Sequence, residues 1–273
     1  MSLFKLRNQI KEKVLPDYLL KPALIHILLA LDFLHTEAHV IHTGRIPLLL
    51  FKLQYSFIID IQEKNIMLRV EDESILVDFE EAEKSTPSPR KMIGDRVIYS
   101  SRKLGIPKIH GRPILSDFGE ARFASSVGPH WEDIQPLIYR APEVLLQMPW
   151  DQKIDIWNLG VLDLFEEGHL FYTRDSNKND SDCHHLTEII ALLRLPPNEM
   201  LRKSEYTSKF FNSDGNWRGA TGIPSISLEK LEGNLQGASQ ELFLCFMRKM
   251  LRWRPEARAS ARELLSDPWL RSS

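Results

Sequence analysis

Asp60 and Asn65 stand in the pattern Asp-x-x-x-x-Asn, and Asp117 opens an Asp-Phe-Gly turn. A carboxylate at the first position can accept the proton of an attacking hydroxyl, while an amide oxygen and a second carboxylate can ligate divalent cations. Such a set suits phosphoryl transfer, a reaction driven by positioning and charge stabilisation. Neither pattern is specific alone. Tyr139-Arg140-Ala141-Pro142-Glu143 follows Leu115-Ser116-Asp117-Phe118-Gly119, then comes Asp155-Ile156-Trp157-Asn158-Leu159-Gly160, and Arg258 stands near the end. In this order the motifs support one another. The glycine of Asp-Phe-Gly is expected to let the backbone swing without a Cβ clash.

The elements that must position these residues are mostly helical. Leu20, Leu24, Ile27, Leu28, Leu31 and Leu34 fall at helical spacing, so Leu19 to His35 should be a helix with one apolar stripe on the core. Its histidines, His26 and His35, read as packing or capping residues. Between Asn65 and Asp117, Ile75-Leu76-Val77 and Pro113-Ile114-Leu115 read as short strands of a hairpin-like pair carrying a polar insertion. Trp157 to Phe171, Leu186 to Leu195, Glu241 to Trp253 and Ala259 to Leu265 read as helices, and Ser204 to Gly237 as a surface excursion with little regular structure.

Composition bounds the function classes. The 273 residues are 43% hydrophobic, enough to bury a sizeable core in one or at most two domains. A net charge of -2 gives no global field for nucleic acid, so no direct nucleic-acid partner is expected. Cys183 and Cys245 stand in no metal-like spacing and read as reduced intracellular thiols. The N-terminus lacks the apolar core of a signal peptide. The run Ile46 to Ile59 is broken by Lys52 and Gln54 and falls short of the roughly 20 residues that cross a bilayer, so no membrane partner is expected. His184-His185 beside Cys183 reads as a solvated helix start, and Ser85 to Pro89 as either an exposed phosphorylation site or an ordinary turn. Glu80, Glu81 and Glu83 read as a solvated face. Gly215 to Gly222 fits no phosphate loop.

Gly44 to Ile59 separates His42-Thr43 from Asp60 and resembles neither flank, so it reads as a retained intron or mispredicted exon, with a genuine insertion as the alternative. With that interval removed the sequence is His-Val-Ile-His-Thr-Asp-Ile-Gln-Glu-Lys-Asn-Ile-Met-Leu, which resembles the catalytic loop of the SR-protein kinases, the fungal type above all. The resemblance runs from the helix before His42 to Arg258. It implies an α+β, protein-kinase-like fold, residues 1–273 forming a predominantly α-helical large lobe with a few short strands, an atypical insertion at 44–59 and a polar insertion at 69–113. It also implies a serine/threonine protein kinase that uses ATP and Mg²⁺, with Asp60 as catalytic base, Asn65 and Asp117 as magnesium ligands at the ATP phosphates, and Met67 under the adenine ring. Gln62 stands where such kinases usually have a lysine on the transferring phosphate. Glu143 and Arg258 fill the positions of a buried ion pair, and Asp155 would cap the central helix and brace the catalytic loop. The implied substrate is a protein, arginine/serine-rich in this family, and the implied compartment cytoplasmic and/or nuclear.

Departures from the family pattern lower the expected activity. No glycine-rich strand and no Val-Ala-x-Lys precede the first helix, so the small lobe is expected to be absent and phosphate transfer weak. The stretch Gly160 to Phe165 reads as about two residues shorter than in similar chains, which would turn one end by about 200°. Thr43 stands where many kinases have the arginine that receives a phosphorylated activation segment, so Ser125, Ser126 and Tyr139 need no phosphorylation. Two rival readings are a catalytically silent interaction module of pseudokinase type and a small-molecule phosphotransferase. The second does not normally carry Ala-Pro-Glu followed by Asp-x-Trp-x-x-Gly.

Overall fold

The computed structural model describes residues 1–11, 13–43, 61–102, 110–124, 129–164 and 168–272. Short helix α1 (Leu3–Arg7) leads to α2 (Asp17–Phe33), whose last turn widens into a π-helical segment, Leu34–Ala38, closed by His39 in the left-handed region. Strands β1 (Val40–Ile41) and β2 (Ile66–Val70) follow, then α3 (Ser74–Ser85), β3 (Arg90–Ile93), β4 (Arg96–Tyr99), β5 (His110–Leu115) and β6 (Arg122–Phe123). They form three antiparallel pairs, β1 with β6, β2 with β5, and β3 with β4. The remainder is helical: α4 (Pro142–Leu145), α5 (Lys153–Gly160), α6 (Asp182–Leu193), α7 (Asn198–Leu201), α8 (Leu228–Leu231), α9 (Gly237–Met250), α10 (Ala261–Leu265) and α11 (Pro268–Arg271).

The apolar stripe of α2 is buried as its spacing predicts. Leu24, Ile27, Leu28 and Leu31 are essentially inaccessible, each stabilising the fold by about 1.5–3 kcal/mol. Helix α2 packs on α10 and on β5. Asp17–Ala38 is long and apolar enough by length and composition to cross a membrane, but here its stripe faces the core. Helix α5 is sunk deeper, with every residue from Ile154 to Gly160 buried. Trp157 stacks on Phe171 with centroids 6.1 Å apart.

Several sequence expectations need correction. Ile75-Leu76-Val77 is the first turn of α3, not a strand. Asp72 Oδ1 accepts the Ser74 N–H at 3.0 Å, and the following Glu80, Glu81, Ala82 and Lys84 favour helix strongly enough to override two β-branched residues. Thr86-Pro87-Ser88-Pro89 then ends it. The strand that pairs with Pro113 to Leu115 is β2, and the described part of the polar insertion holds helix α3 and the β3–β4 hairpin. The helix expected over Trp157 to Phe171 stops at Gly160, where α5 lies so close to α9 that an added Cβ would meet Leu251 Cδ2 at 2.9 Å. The Ser204 to Gly237 excursion carries α8 and a short 3-10 turn, Glu205–Lys209, and buries Phe211. His185 is core rather than solvated: fully buried, its ring tilts against Phe171 at 4.9 Å, and burial pushes its pKa down to about 3.

The Glu143–Arg258 pair forms as expected. Arg258 Nη1 and Nη2 donate to Glu143 Oε1 and Oε2 at 2.6 and 2.5 Å, and both side chains are sealed from solvent. The remaining guanidinium hydrogens reach the carbonyls of Arg252, Lys153 and Trp253, and the guanidinium carbon lies 5.1 Å from the Trp157 ring centre. Removing one partner strands the other charge in the core. Glu143→Ala should therefore cost about 3–5 kcal/mol in urea unfolding, whereas a loss under about 1 kcal/mol, the surface-pair range, would show that the pair is not buried in solution.

Candidate active site

The β2–β5 ladder brings two of the expected residues to one end of a sheet. Ile66 pairs with Leu115, and just beyond that pair Ser116 grips Asn65: its N–H and its Oγ–H donate to the Asn65 carbonyl at 2.9 and 2.6 Å. Asn65 N–H in turn donates to the Gln62 carbonyl at 2.8 Å. Asp117 follows Ser116 directly, exposed and at φ +68, a left-handed conformation that Asp tolerates better than most residues. The strained residue of Asp-Phe-Gly is thus the aspartate. A Cβ at Gly119 would meet Asp117 Oδ1 at an ordinary 3.6 Å, so this conformation does not itself demand the glycine.

One residue further along the ladder, Met67 faces Ile114. Side chains alternate across a strand, so Ile66, Leu68 and Leu115 point inward while Met67 and Ile114 stay 39% and 49% exposed. Together they make an apolar platform beside Asn65 and Asp117.

A second set of contacts clamps this corner. His42 N–H donates to Asp155 Oδ2 at 3.0 Å, and His35 Nε2 lies 2.8 Å from the same oxygen. The His42 ring Nε2 donates to the Ser116 carbonyl at 3.0 Å, and the ring stands edge-on to Phe118 with centroids 4.7 Å apart. Thr43 Oγ1 donates to the Glu120 carbonyl at 2.5 Å. Residues 42 and 43 therefore hold both flanks of Asp117. Asp155 braces this segment as expected but does not cap α5: Gln152 is the N-cap residue, and the Asp155 side chain turns into the core.

Asp60 and the interval Gly44 to Ile59 lie outside the described residues. Ile61, immediately after Asp60, is fully buried, and the Gln62 side chain is buried too. Lys64 leans over the ring of Phe4, 5.3 Å from its centre. Sequence reasoning missed Glu63, which is buried beneath α1, with Oε2 accepting from Arg7 Nε at 2.7 Å and its carbonyl accepting from Phe4 N–H at 3.2 Å. Burial drives the Glu63 carboxyl up to about 7, overcoming the opposite pull of Arg7.

Another missed group lies beside the Ala-Pro-Glu segment. Gln135, fully buried at φ +66, donates Nε2–H to Asn158 Oδ1 at 2.7 Å and accepts the Ala141 N–H on Oε1 at 2.9 Å. Tyr139 OH donates to Asp163 Oδ2 at 2.6 Å, and His169 Nδ1 lies 2.8 Å from that oxygen, a hydrogen bond that raises the His169 pKa. Asp163 stands just after the end of α5. Buried Gln and Asp side chains have no local signature, so only the fold reveals them.

These features define a protein kinase fold, and the chain belongs to the protein kinase family: the protein kinase domain model matches residues 108–270. A serine/threonine protein kinase of Aspergillus fumigatus is 45% identical over 98% of this chain and 62% of its own length. The serine/threonine-protein kinase SRPK of Physarum polycephalum is 30% identical over 99% of this chain and 64% of its own. The chain thus spans under two thirds of the length of these relatives. A solved kinase domain superposes with a TM-score of 0.67 at 23% identity, covering 98% of this chain and 70% of that one, a likeness of fold.

The Glu63 environment makes stability depend on pH. Its carboxyl ionises near 4.5 when unfolded but near 7 when folded, so the stability it contributes is complete below pH 4.5 and lost as the pH rises to 7. The difference in unfolding free energy between the native chain and Glu63→Gln should fall across that window by up to about 1.4 kcal/mol per pH unit. A difference flat with pH in urea melts would mean that Arg7 keeps Glu63 ionised throughout.

Proposed function

We propose that this chain carries the catalytic and metal-binding groups of a serine/threonine protein kinase of SR-protein kinase type, transferring the ATP γ-phosphate to protein hydroxyls. The observation that carries the reading is the Ser116 clasp on Asn65, which seats an amide and the Asp117 carboxylate at the same end of one ladder. Both offer hard oxygen ligands, the donor type Mg²⁺ takes, and no cluster of three or more His, Cys, Asp or Glu side chains suited to a metal occurs among the described residues. Asn65 and Asp117 would hold Mg²⁺, and when bound it would neutralise charge on the β- and γ-phosphates.

The residues of the chain then divide the work. Met67 and Ile114 offer the apolar platform on which an adenine ring would lie. Asp60 would accept the proton of the attacking serine or threonine hydroxyl as general base. Gln62, in the position of a phosphate-binding lysine, supplies a dipole where a full charge would serve better, which favours a slow reaction. Thr43 is occupied with the Glu120 carbonyl and offers no charge to a phosphorylated segment. The resemblance to SR-protein kinases, with the 30% identical SRPK relative, supports an arginine/serine-rich protein substrate.

Calorimetric titration with ATP separates this reading from a silent interaction module. Affinity should rise on adding Mg²⁺, and Asp117→Asn should abolish that dependence while leaving metal-free binding within about twofold, a change of under about 0.5 kcal/mol. Affinity indifferent to Mg²⁺ in the native chain would favour the interaction module. A second expectation concerns activation: phosphatase treatment of the enzyme should leave its transfer rate to an arginine/serine-rich peptide unchanged. Loss of activity would reveal a phosphate receptor other than residue 43.

A further inference from the structure

The insertion between β2 and β5 presents a feature that the catalytic reading does not use. Strands β3 and β4 form a hairpin whose every residue is exposed, including Met92, Ile93, Val97, Ile98 and Tyr99. Each strand packs chiefly on the other. Gly94, at φ +60, opens the two-residue turn between Ile93 and Arg96. The base is stapled: Glu83 accepts from Ser88 N–H at 2.6 Å, Ser88 Oγ–H at 2.8 Å and Arg102 Nε at 2.7 Å, and Ser100 N–H reaches the Pro89 carbonyl at 2.7 Å. A carboxylate engaged three ways makes this an ordered projection.

Its edge is open. The turn closes on Ile93 and Arg96 and the base on Pro89 and Ser100, so hydrogen-bonded pairs alternate and the N–H and C=O of Arg90, Met92, Val97 and Tyr99 point away from the partner strand. Those groups have no backbone partner among the described residues. Arg90 and Lys91 lie on opposite faces of β3, and Arg96 begins β4. On α3, Glu80 pairs with Lys84 and Glu83 with Arg102.

We propose that the β3 edge docks an extended acidic segment of a partner protein, added as a third strand. The partner backbone would pair with Arg90 and Met92, its carboxylates would lie across from Arg90 and Lys91, and its apolar side chains across from Met92 and Ile93. Charge decides among possible occupants. A second copy of this hairpin would set Arg90, Lys91 and Arg96 against their own kind. Nucleic acid would meet a mainly apolar strip with Asp95 at its tip, and a phosphodiester cannot complete a strand edge.

Fluorescence anisotropy of a labelled eight-residue peptide, Val-Ile-Glu-Glu repeated twice, titrated with the whole chain tests this. Binding should be saturable below millimolar chain, vanish when alternate peptide amides are N-methylated, and weaken about tenfold in the double variant Arg90→Glu, Lys91→Glu, whose exposed positions leave the melting temperature unchanged. No saturable binding, equal binding of the N-methylated peptide, or an unaltered affinity in the double variant would overturn the proposal. So would displacement of the peptide by a single-stranded RNA of equal charge, or a hairpin-dependent dimer in sedimentation.

Discussion

The carboxylate of Asp155 is the constraint on which the rest of the site depends. It is fully buried and beyond the reach of water, so it must find its hydrogen bonds within the protein. Its Oδ2 finds two, in His42 N–H and His35, while Oδ1 is buried with no partner among the described residues. Ile154, Ile156, Trp157 and Leu159 are buried and fix α5 in the core, so hydrophobic packing holds Asp155 in place. From there a chain of bonds runs through the His42 ring to Ser116 and through Ser116 to Asn65, at 3.0 and 2.9 Å. Packing in one helix is thereby converted into placement of Asn65 and Asp117, the two residues proposed to hold the metal.

The same helix steadies the segment on the other side. Asn158 lies three residues after Asp155, on the same helical face, and holds Gln135, which holds Ala141. Beyond the helix end, Asp163 takes the Tyr139 hydroxyl, and the Glu143–Arg258 pair ties the Ala-Pro-Glu turn to the C-terminal part of the chain. Buried polar groups such as these add less net stability than apolar groups of equal size would, but each leaves an unpaired charge or dipole if its loop moves. They fix position more than they add free energy.

Much of this was legible in the sequence where the signal was periodic or carried by a motif. The stripe of α2, the strand ending at Leu115, and the pairing of Glu143 with Arg258 follow from spacing or resemblance. The Ile75-Leu76-Val77 misreading shows the limit: three apolar residues cannot distinguish strand from helix, and the Asp72 hydrogen bond to Ser74 N–H and the Glu- and Ala-rich residues beyond them decided it. The π-helical turn at Leu34–Ala38, which contains His35, has no sequence signature. Glu63 and Gln135 went unnoticed because polar side chains are usually exposed and nothing local marks these two as buried; their burial follows only once α1 and α5 are in place. Asp60 was legible from its motif, yet it lies outside the described residues.

The central claim is that Asn65 and Asp117 share one cation-binding corner held by Ser116. Paramagnetic broadening of backbone amide resonances by Mn²⁺, added with a non-hydrolysable ATP analogue, tests it most directly. Asn65, Ser116, Asp117 and Phe118 should broaden first and together at low Mn²⁺, with Met67 next. Broadening that begins at surface acids such as Glu80 and Glu81 and leaves Asn65 and Asp117 sharp would contradict it.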